Sequence, residues 1–315
     1  MSTDAGPAVI ILPALNAAVK AGLAGRCRLM ELEAADIRNL PTGVVEAVRA
    51  VVCVGSFDRA DMDRLPNLEL IASFGVGYDG IDIRHATARG IVVTNTPDVV
   101  TEEVADAAIG LLINCVRGFT KAETWLRAGH WEQEKSYPLS TLTLRGRSVG
   151  IFGLGRIGKA IARRVEAFGL PVAYHNRRAV DDVSYRYCPS LIELARSVDT
   201  LIAVVPGGAS TDGVIGAEVF KALGDRGVFI NVGRGTTVDE EALIAALGGG
   251  TIAAAGLDVF AREPVVSPAL LALANVTVLP HIAAATVDTR AAVSQLVVDN
   301  VMQWFEERCA LSPVV

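Results

Sequence analysis

Residues 148–158 read SVGIFGLGRIG. Ser148–Phe152 is a short apolar run typical of a buried parallel strand, and Lys159–Phe168 continues with the spacing of a helix. The glycines between them match GxGxxG, which allows a tight turn and lets a pyrophosphate approach amides at the start of the helix. The motif is weak alone, but its strand–loop–helix setting predicts a dinucleotide-binding domain. The predicted phosphate loop consists of Gly153, Leu154, Gly155, Arg156, Ile157 and Gly158.

The next predicted strand, Val172–His175, ends at Asn176, Arg177 and Arg178. An NAD enzyme usually places Asp or Glu here, where the carboxylate accepts hydrogen bonds from the ribose 2′-hydroxyl. A carboxylate would repel a 2′-phosphate, whereas guanidinium groups bind one through charge-assisted bidentate bonds. These residues predict NADP(H) as the cofactor, with NAD(H) used more weakly. The alternative is a permissive NAD site beside two solvated arginines.

Similar apolar runs recur along the chain and alternate with helical patterns. They do not alternate between apolar and polar residues, which is typical of strands covered by helices on both faces of a parallel sheet. The 315 residues suggest about two domains, so we predict an α/β fold with two Rossmann-like or flavodoxin-like domains. The other predicted strands are Val9–Leu12, Ala50–Val54, Leu70–Ala72, Ile91–Thr94, Thr200–Val204, Val228–Asn231, Ile252–Leu257 and Val276–Leu279.

Two long segments have the pattern of helices. Val104–Val116 is apolar and follows Thr101, a suitable N-cap, and Val287–Glu307 is amphipathic. Pro97 breaks the chain before the first of them, so we place a domain boundary near it. Trp125–Ser140 is predicted to be a polar connection that carries aromatic residues.

Composition restricts the class of protein. Hydrophobic residues make up 51% and charged residues 20%, which favours a packed globular chain. The net charge of -6 argues against a nucleic-acid partner. No apolar run has the length of a membrane span, and Met1–Pro7 lacks the pattern of a signal peptide. The scattered cysteines, including Cys53 and Cys115 in apolar runs, favour buried thiols and a cytoplasmic location. The four histidines lie far apart, so we predict no metal site.

Three polar segments follow predicted strands and contain Arg234, Glu263 and His281. Ligands of open α/β sheets bind at the carboxyl ends of the strands. A guanidinium binds the carboxylate of a 2-keto acid in a fixed fork, and an imidazole is the natural proton donor to its carbonyl oxygen. A carboxylate beside the imidazole would favour its charged form and fix its orientation. Each residue alone has a structural alternative: a structural histidine, a helix-capping arginine or a surface glutamate.

Further segments carry a family resemblance over nearly the whole chain. Residues 74–79 read FGVGYD and residues 95–97 read NTP; the phosphate loop and the segments with Arg234, Glu263 and His281 follow in order. Together they resemble the D-2-hydroxyacid dehydrogenase family, particularly its glyoxylate/hydroxypyruvate reductase branch. The resemblance implies NADPH-dependent reduction of glyoxylate, hydroxypyruvate or a related 2-keto acid to the D-2-hydroxy acid.

The resemblance also implies roles for single residues. Arg234 would bind the substrate carboxylate, His281 would be the acid/base and Glu263 its partner. Asp258 would lie near the nicotinamide amide, and the backbone amides of Val76 and Gly77 would bind the carboxylate. The remaining predicted substrate-pocket residues are Val54, Gly55 and Ser56, and the remaining predicted cofactor-binding residues are Val205, Pro206, Thr211, Val232, Gly233 and Ala283.

The family architecture implies a substrate-binding domain of residues 1–98 plus 287–315, with a dinucleotide-binding domain of residues 99–286 inserted into it. It also implies a homodimer, in which Trp131 either reaches the neighbouring active site or is a dimer contact. One residue departs from the pattern: relatives commonly carry serine three positions after the histidine, where this chain has Ala284.

Two alternative functions are compatible with the same scaffold. One is oxidation of phosphoglycerate, phosphite or formate with NAD(P). The other is a non-enzymatic corepressor that senses dinucleotides.

Overall fold

The computed structural model describes residues 6–12 and 17–314. The expected absence of a signal peptide concerns Met1–Pro7, of which residues 1–5 lie outside the described residues. Contacts divide the chain into two compact units. Unit 1 comprises the described residues up to Val100 and those from Ala285 onward, and unit 2 is Thr101–Ala284. These bounds lie close to those proposed from the sequence, and the assignment of substrate and cofactor domains stays a prediction.

Unit 1 is built on a parallel sheet. In chain order its elements are β1 (Ala8–Ile11), α1 (Ala17–Leu23), β2 (Arg28–Glu31), α2 (Ala34–Ile37), α3 (Thr42–Val45), β3 (Val48–Cys53), β4 (Ser56–Phe57), α4 (Arg59–Arg64), β5 (Leu70–Ser73), β6 (Gly80–Ile81), α5 (Ile83–Ala88), β7 (Val92–Thr94) and, after unit 2, α14 (Val287–Glu307). The strand order is β2-β1-β3-β5-β7, and β4 pairs separately with β6. Strands β1 and β5 are buried along their whole length, because helices cover both faces of the sheet.

Unit 2 has a larger parallel sheet. Its elements are α6 (Thr101–Arg117), α7 (Phe119–Arg127), α8 (His130–Glu134), β8 (Val149–Phe152), α9 (Arg156–Ala167), β9 (Val172–His175), β10 (Arg186–Tyr187), α10 (Leu191–Arg196), β11 (Thr200–Ala203), α11 (Ala217–Leu223), β12 (Val228–Asn231), the 3₁₀ turn η1 (Gly235–Thr237), α12 (Glu240–Gly248), β13 (Ala254–Leu257), α13 (Pro268–Leu271) and β14 (Val276–Val278). The strand order is β10-β9-β8-β11-β12-β13-β14. The chain reverses its direction of winding between β8 and β11, and such a switch point is where open α/β sheets bind ligands.

The predicted α/β class with parallel sheets is confirmed. Helix α14 has the predicted bounds, and the helix after the glycine pattern begins at Arg156, three residues earlier than expected. Thr101 is the first residue of α6 and not a residue preceding the helix. The predicted connection Trp125–Ser140 is wrong in its first half, because it contains the end of α7 and all of α8.

The cysteines are free thiols, and Cys53 is buried while Cys115 is half-buried. Burial raises the pKa of both thiols to about 12, which keeps them neutral. Within the described ranges, no helix combines the length and the apolar character needed to cross a bilayer. Among the same described residues, no group of three or more His, Cys, Asp or Glu side chains could hold a metal ion.

Candidate active site

Three neighbouring strands of unit 2 deliver the predicted catalytic residues to one edge of the sheet. Strand β13 pairs with β12 on one side and with β14 on the other, all in parallel. The loop after β12 contains Arg234, the loop after β13 contains Glu263, and the loop after β14 contains His281. Parallel strands place their carboxyl ends at the same edge, so residues distant in sequence meet in adjacent loops.

Glu263 and His281 form a hydrogen-bonded pair. The imidazole Nδ1 lies 2.6 Å from Glu263 Oε2, and the Phe260 amide donates to Oε1 of the same carboxylate at 2.9 Å. Since a carboxylate oxygen accepts, Nδ1 carries the proton and Nε2 faces away from Glu263. The His281 side chain is 52% exposed, so a small molecule can reach Nε2.

The backbone at His281 is held in an uncommon conformation by Asp258. His281 has a φ of 52°, in the left-handed region. Its amide donates to the Asp258 carbonyl at 2.9 Å, and the amides of Ile282 and Ala283 donate to the two Asp258 carboxylate oxygens at 2.7 and 2.9 Å. These bonds stabilise a strained turn, as expected where a functional side chain must be aimed.

Asp258 is almost fully buried, with 1% exposure. Burial raises the pKa of its carboxyl, and the hydrogen bonds from Ala283 and Ile282 act in the opposite direction. Because both carboxylate oxygens accept loop amides, the predicted contact of Asp258 with the nicotinamide amide would have to share them. The Ala283 amide is likewise used within the loop.

Asn231 and Thr237 shape the loop that carries Arg234. Asn231 Nδ2 and Thr237 Oγ1 donate to the Arg234 carbonyl at 3.0 and 2.7 Å, and Asn231 Oδ1 accepts the Gly233 amide at 3.0 Å. The half-buried guanidinium donates to the Gly233 carbonyl at 2.8 Å. Both polar side chains are buried, so the loop conformation is determined by hydrogen bonds that are costly to break.

Gly235 brings the Arg234 loop against the Glu263 loop. A Cβ placed at Gly235 would lie 1.9 Å from the Phe260 carbonyl carbon and 2.5 Å from the Ala261 nitrogen. The Phe260 amide is the one that binds Glu263. Backbone contact at Gly235 therefore couples the position of Arg234 to the pair formed by Glu263 and His281.

Replacement of Gly235 by alanine is expected to separate these loops. Overpacking of this kind costs about 1–3 kcal/mol of stability, and displacing a reacting group by about 1 Å can lower the rate about 100-fold. Urea denaturation and kcat/KM for glyoxylate measure the two effects. Gly248→Ala is the matched control, because a Cβ there meets Leu273 Cδ2 at an ordinary 3.8 Å. Equal kcat/KM for the two variants would contradict the coupling.

The glycine loop after β8 fits a pyrophosphate. Gly153 has a φ of 106°, which favours glycine, and a Cβ at Gly158 would lie 2.2 Å from the Gly153 carbonyl oxygen. A Cβ at Gly155 would meet no atom within 4 Å, and Gly155 is the N-cap of α9, which has no side-chain cap. The first turn of a helix without a side-chain cap offers amides and a positive dipole end to an anion.

The residues after β9 divide between two roles. Asn176 Oδ1 accepts the Leu154 amide at 2.6 Å, and the Asn176 carbonyl accepts from the Tyr187 hydroxyl at 3.3 Å. Asn176 therefore braces the glycine loop, and its predicted role in cofactor binding stays a prediction. Arg177 and Arg178 are exposed, so their guanidinium groups are accessible to a phosphate.

The loops after β8, β11 and β12 pack closely. A Cβ at Gly233 would lie 2.7 Å from the Val205 carbonyl oxygen, and one at Gly153 would lie 2.8 Å from Val205 Cγ1. The Thr211 hydroxyl, predicted to bind the cofactor, donates within its own loop to Pro206 and Gly208 carbonyls at 2.8 and 3.1 Å. It therefore fixes the shape of this loop.

Two loops of unit 1 hold the predicted substrate-pocket residues. Strands β3 and β5 are neighbours, and they end before Val54 and before the loop with Val76 and Gly77. Strand β6, which follows the second loop, packs closely against the first loop, since a Cβ at Gly80 would lie 2.6 Å from the Gly55 carbonyl oxygen. Val54 is 42% exposed, as is suitable for a residue that contacts a ligand.

Sequence reasoning missed the residues that hold this site together. Asn231, Thr237 and the Phe260 amide act through hydrogen bonds within loops, and only the position of Asn231 at the end of a predicted strand gave a signal. Asn95 Nδ2 donates to the Val76 carbonyl at 2.8 Å, whereas the sequence places Asn95 only in the NTP segment of the family resemblance and predicts no contact for it.

Similarity to known proteins identifies the family of this chain. Residues 109–283 match the family described as D-isomer specific 2-hydroxyacid dehydrogenase, NAD binding domain. The crystal structure of the NADPH-dependent glyoxylate/hydroxypyruvate reductase SmGhrB from Sinorhizobium meliloti, in complex with NADP and malonate, is 52% identical. It has a TM-score of 0.95, with 98% of this chain and 97% of that chain covered.

Two plant relatives are also similar over most of their length. Glyoxylate/hydroxypyruvate reductase A HPR2 of Arabidopsis thaliana is 45% identical over 271 residues, which cover 85% of this chain and 86% of that protein. Hydroxyphenylpyruvate reductase of Plectranthus scutellarioides is 43% identical over 272 residues, with 86% of each chain covered. The resemblance read from the sequence is confirmed, and the chain belongs to the D-isomer specific 2-hydroxyacid dehydrogenase family, in its glyoxylate/hydroxypyruvate reductase branch.

Proposed function

We propose that this protein reduces small 2-keto acids, such as glyoxylate and hydroxypyruvate, to D-2-hydroxy acids with NADPH. The observation that carries the proposal is the Glu263–His281 pair, which lies beside the Arg234 loop on the sheet that also bears the glycine loop. An acid/base, an anion-binding guanidinium and a phosphate-binding helix start are the groups that this reaction needs. The names of the relatives support the same substrate class.

Arg234 binds the carboxylate of the keto acid. Its guanidinium offers parallel donors that match a carboxylate, and its charge also polarises the adjacent carbonyl. The buried bonds from Asn231 and Thr237 to its backbone keep the loop in place before substrate arrives. The predicted roles of the Val76 and Gly77 amides in carboxylate binding, and of Val54, Gly55 and Ser56 in shaping the pocket, belong to the same proposal.

His281 supplies the proton. When bound, the reduced dinucleotide provides a hydride for the carbonyl carbon. The imidazolium Nε2–H then donates to the carbonyl oxygen, while Nδ1–H stays bonded to Glu263. Glu263 stabilises the charged imidazolium and fixes the ring, in the way that a buried carboxylate orients other catalytic histidines.

Substrate choice within this class depends on few side chains. Ala284 lies three positions after His281, where relatives commonly carry serine. Its side chain has no hydroxyl, so it cannot donate a hydrogen bond to a polar substituent of the substrate. We propose that the pocket selects mainly by size and by the shared carboxylate.

The arginines after β9 select NADPH. Arg177 and Arg178 are exposed at the end of β9, next to Asn176, which is bonded to the glycine loop. Two cations at this place favour a 2′-phosphate over a hydroxyl. We therefore propose NADP(H) as the main cofactor and NAD(H) as a weaker one.

Exchange of Arg177 and Arg178 for serine is expected to weaken NADPH binding about 10- to 100-fold, because a hydrogen bond to a charged group contributes about 1.5–3 kcal/mol. Affinity for NADH should hardly change. Titration of protein fluorescence with each reduced cofactor measures both constants. Arg145→Ser, at another exposed position of unit 2, is the control. Equal losses for NADPH and NADH would mean that other residues bind the 2′-phosphate.

A substrate panel tests the proposed function. Loss of NADPH absorbance is followed with glyoxylate, hydroxypyruvate and phenylpyruvate, each repeated with NADH. The panel also includes oxidation of phosphoglycerate, phosphite and formate with NADP⁺ and NAD⁺. We expect turnover of the keto acids with NADPH. Turnover confined to the oxidations would establish a different dehydrogenase, and binding without any turnover would favour a dinucleotide sensor.

We also propose a homodimer. Large apolar side chains are exposed on α7, α8 and the segment that follows, including Phe119 at 52%, Trp131 at 58% and Leu139 at 93%, and such patches are typical of association surfaces. Trp131 Nε1 donates to the Lys135 carbonyl at 3.2 Å, which favours a dimer contact over a role in a neighbouring site. Sedimentation velocity measures the oligomeric state.

We propose a cytoplasmic location because the cysteines are free thiols.

A further inference from the structure

The Gly75–Gly77 loop of unit 1 is anchored by two hydrogen bonds to its carbonyl groups. The Thr96 amide donates to the Gly75 carbonyl at 2.9 Å, and Asn95 Nδ2 donates to the Val76 carbonyl at 2.8 Å. In a trans peptide the carbonyl and the following N–H point in opposite directions. The first bond therefore sets the direction of the Val76 N–H, and the second sets that of the Gly77 N–H. Both amides are directed away from Asn95 and Thr96.

Asn95 is in turn held by the C-terminal tail, which we define as Leu311–Val314. The Ser312 hydroxyl donates to the Asn95 carbonyl at 2.7 Å, and the Asn95 amide donates to the Ser312 carbonyl at 3.3 Å. The tail continues as an antiparallel partner of β7, in which Thr94 faces Pro313 and the Val314 amide donates to the Val93 carbonyl at 2.8 Å. The C-terminal tail therefore pairs with β7, the edge strand that leads to Asn95.

Asn300 fixes the tail to helix α14. Its side chain is fully buried, with 0% exposure. Oδ1 accepts the amides of Leu311 and Ser312, both at 3.0 Å, and Nδ2 donates to the Leu296 carbonyl at 2.8 Å and to Ser312 Oγ at 2.9 Å. All four hydrogen-bonding positions of the amide are occupied, so the network has one well-defined arrangement.

We propose that Asn95 is a positioning residue for the amides of Val76 and Gly77, and that the C-terminal tail, held by Asn300 through Ser312, fixes Asn95 for this task. The inference rests on the proposed function, in which these amides bind the substrate carboxylate. Donors already aimed at a ligand bind it without first being ordered, which raises affinity. The tail therefore contributes to substrate affinity without touching substrate.

The test compares Ser312→Ala with Ser312→Thr, which keeps the hydroxyl, and with Leu311→Ala, which shortens an exposed side chain of the same tail. Asn95→Ala removes the anchor on the Val76 carbonyl directly. The measurements are KM and kcat for glyoxylate at saturating NADPH, the inhibition constant of oxamate, the Kd for NADPH, the Tm, and hydrogen exchange of the backbone at residues 74–79.

Ser312→Ala and Asn95→Ala are expected to raise the KM for glyoxylate and the inhibition constant of oxamate about 3- to 10-fold, because each variant lacks one hydrogen bond that positions the Val76 and Gly77 amides. Ser312→Ala also removes the bond from Asn300 Nδ2 to Ser312 Oγ. The value of kcat and the Kd for NADPH should stay unchanged, because carboxylate binding is equal in ground and transition states. Exchange at residues 74–79 should become faster. Ser312→Thr and Leu311→Ala should behave as the wild type.

Two outcomes overturn the inference. One is an unchanged KM in Ser312→Ala and Asn95→Ala while the wild type reduces keto acids. The other is a parallel loss of Tm, NADPH affinity and kcat, which would make the network a general structural element. Faster exchange at residues 74–79 in a protein whose wild type reduces no keto acid would support the bracing of the loop and refute the proposed function instead.

Discussion

Replacement of His281 by glutamine is expected to lower kcat for glyoxylate about 100- to 10,000-fold, the range that a positioned general acid contributes. Glutamine keeps the approximate size of the side chain and can still donate to Glu263, but it has no titrating nitrogen for the carbonyl oxygen. The Kd for NADPH should remain that of the wild type, because His281 bonds to Glu263 and not to the glycine loop. Single-turnover kinetics at saturating NADPH isolate the chemical step.

The chain provides a matched control for this exchange. His85 also pairs with a carboxylate, since its Nε2 lies 2.6 Å from Asp63 Oδ1 in unit 1. His85→Gln makes the same exchange in a pair of the same chemistry outside the proposed site, so kcat should not change. If His281→Gln loses no more activity than His85→Gln, the imidazole of His281 does not supply the proton.

Replacement of Arg234 by alanine is expected to lower kcat/KM for glyoxylate about 30- to 4,000-fold, since removal of one partner of a hydrogen-bonded charge pair costs about 2–5 kcal/mol. Both KM and kcat should suffer, because the guanidinium binds the carboxylate and also polarises the carbonyl. Arg234→Lys keeps the charge and loses the planar fork, so an intermediate value would show that geometry matters as well as charge.

Arg262→Ala is the control for Arg234. It removes a guanidinium from an exposed position in the Glu263 loop of the same unit, and the specificity constant should stay close to that of the wild type. An unaltered kcat/KM in Arg234→Ala would assign carboxylate binding to other residues. Fluorescence titration with NADPH confirms that the cofactor still binds to each variant.

The parts of this molecule that follow from local pattern are predictable from sequence. Strands such as Val172–His175 and Val228–Asn231 have the predicted bounds, because a run buried on both faces is continuously apolar. The glycine loop is predictable because each glycine has a separate steric reason. The order of Arg234, Glu263 and His281 after successive strands is likewise visible in the chain.

The parts that depend on tertiary contacts are not predictable in this way. Strand β2 reads RLME and is largely exposed, so its apolar signal is weak. Helices α7 and α8 bury no residue, so they have no pattern of core positions that would predict them. Their N-caps, Gly118 and Gly129, have left-handed conformations. The use of both Asp258 oxygens by loop amides, and the turn this stabilises at His281, arise only when the loops after β13 and β14 meet.

In the proposed reaction, a hydride from NADPH and a proton from the protein are added to the carbonyl of a 2-keto acid. Reduction of hydroxypyruvate with NADPH dideuterated at nicotinamide C4, followed by NMR and chiral analysis of the product, tests it most directly. The expected product is D-glycerate with one deuterium at C2. Absence of turnover, protium at C2 or the L-isomer would contradict it.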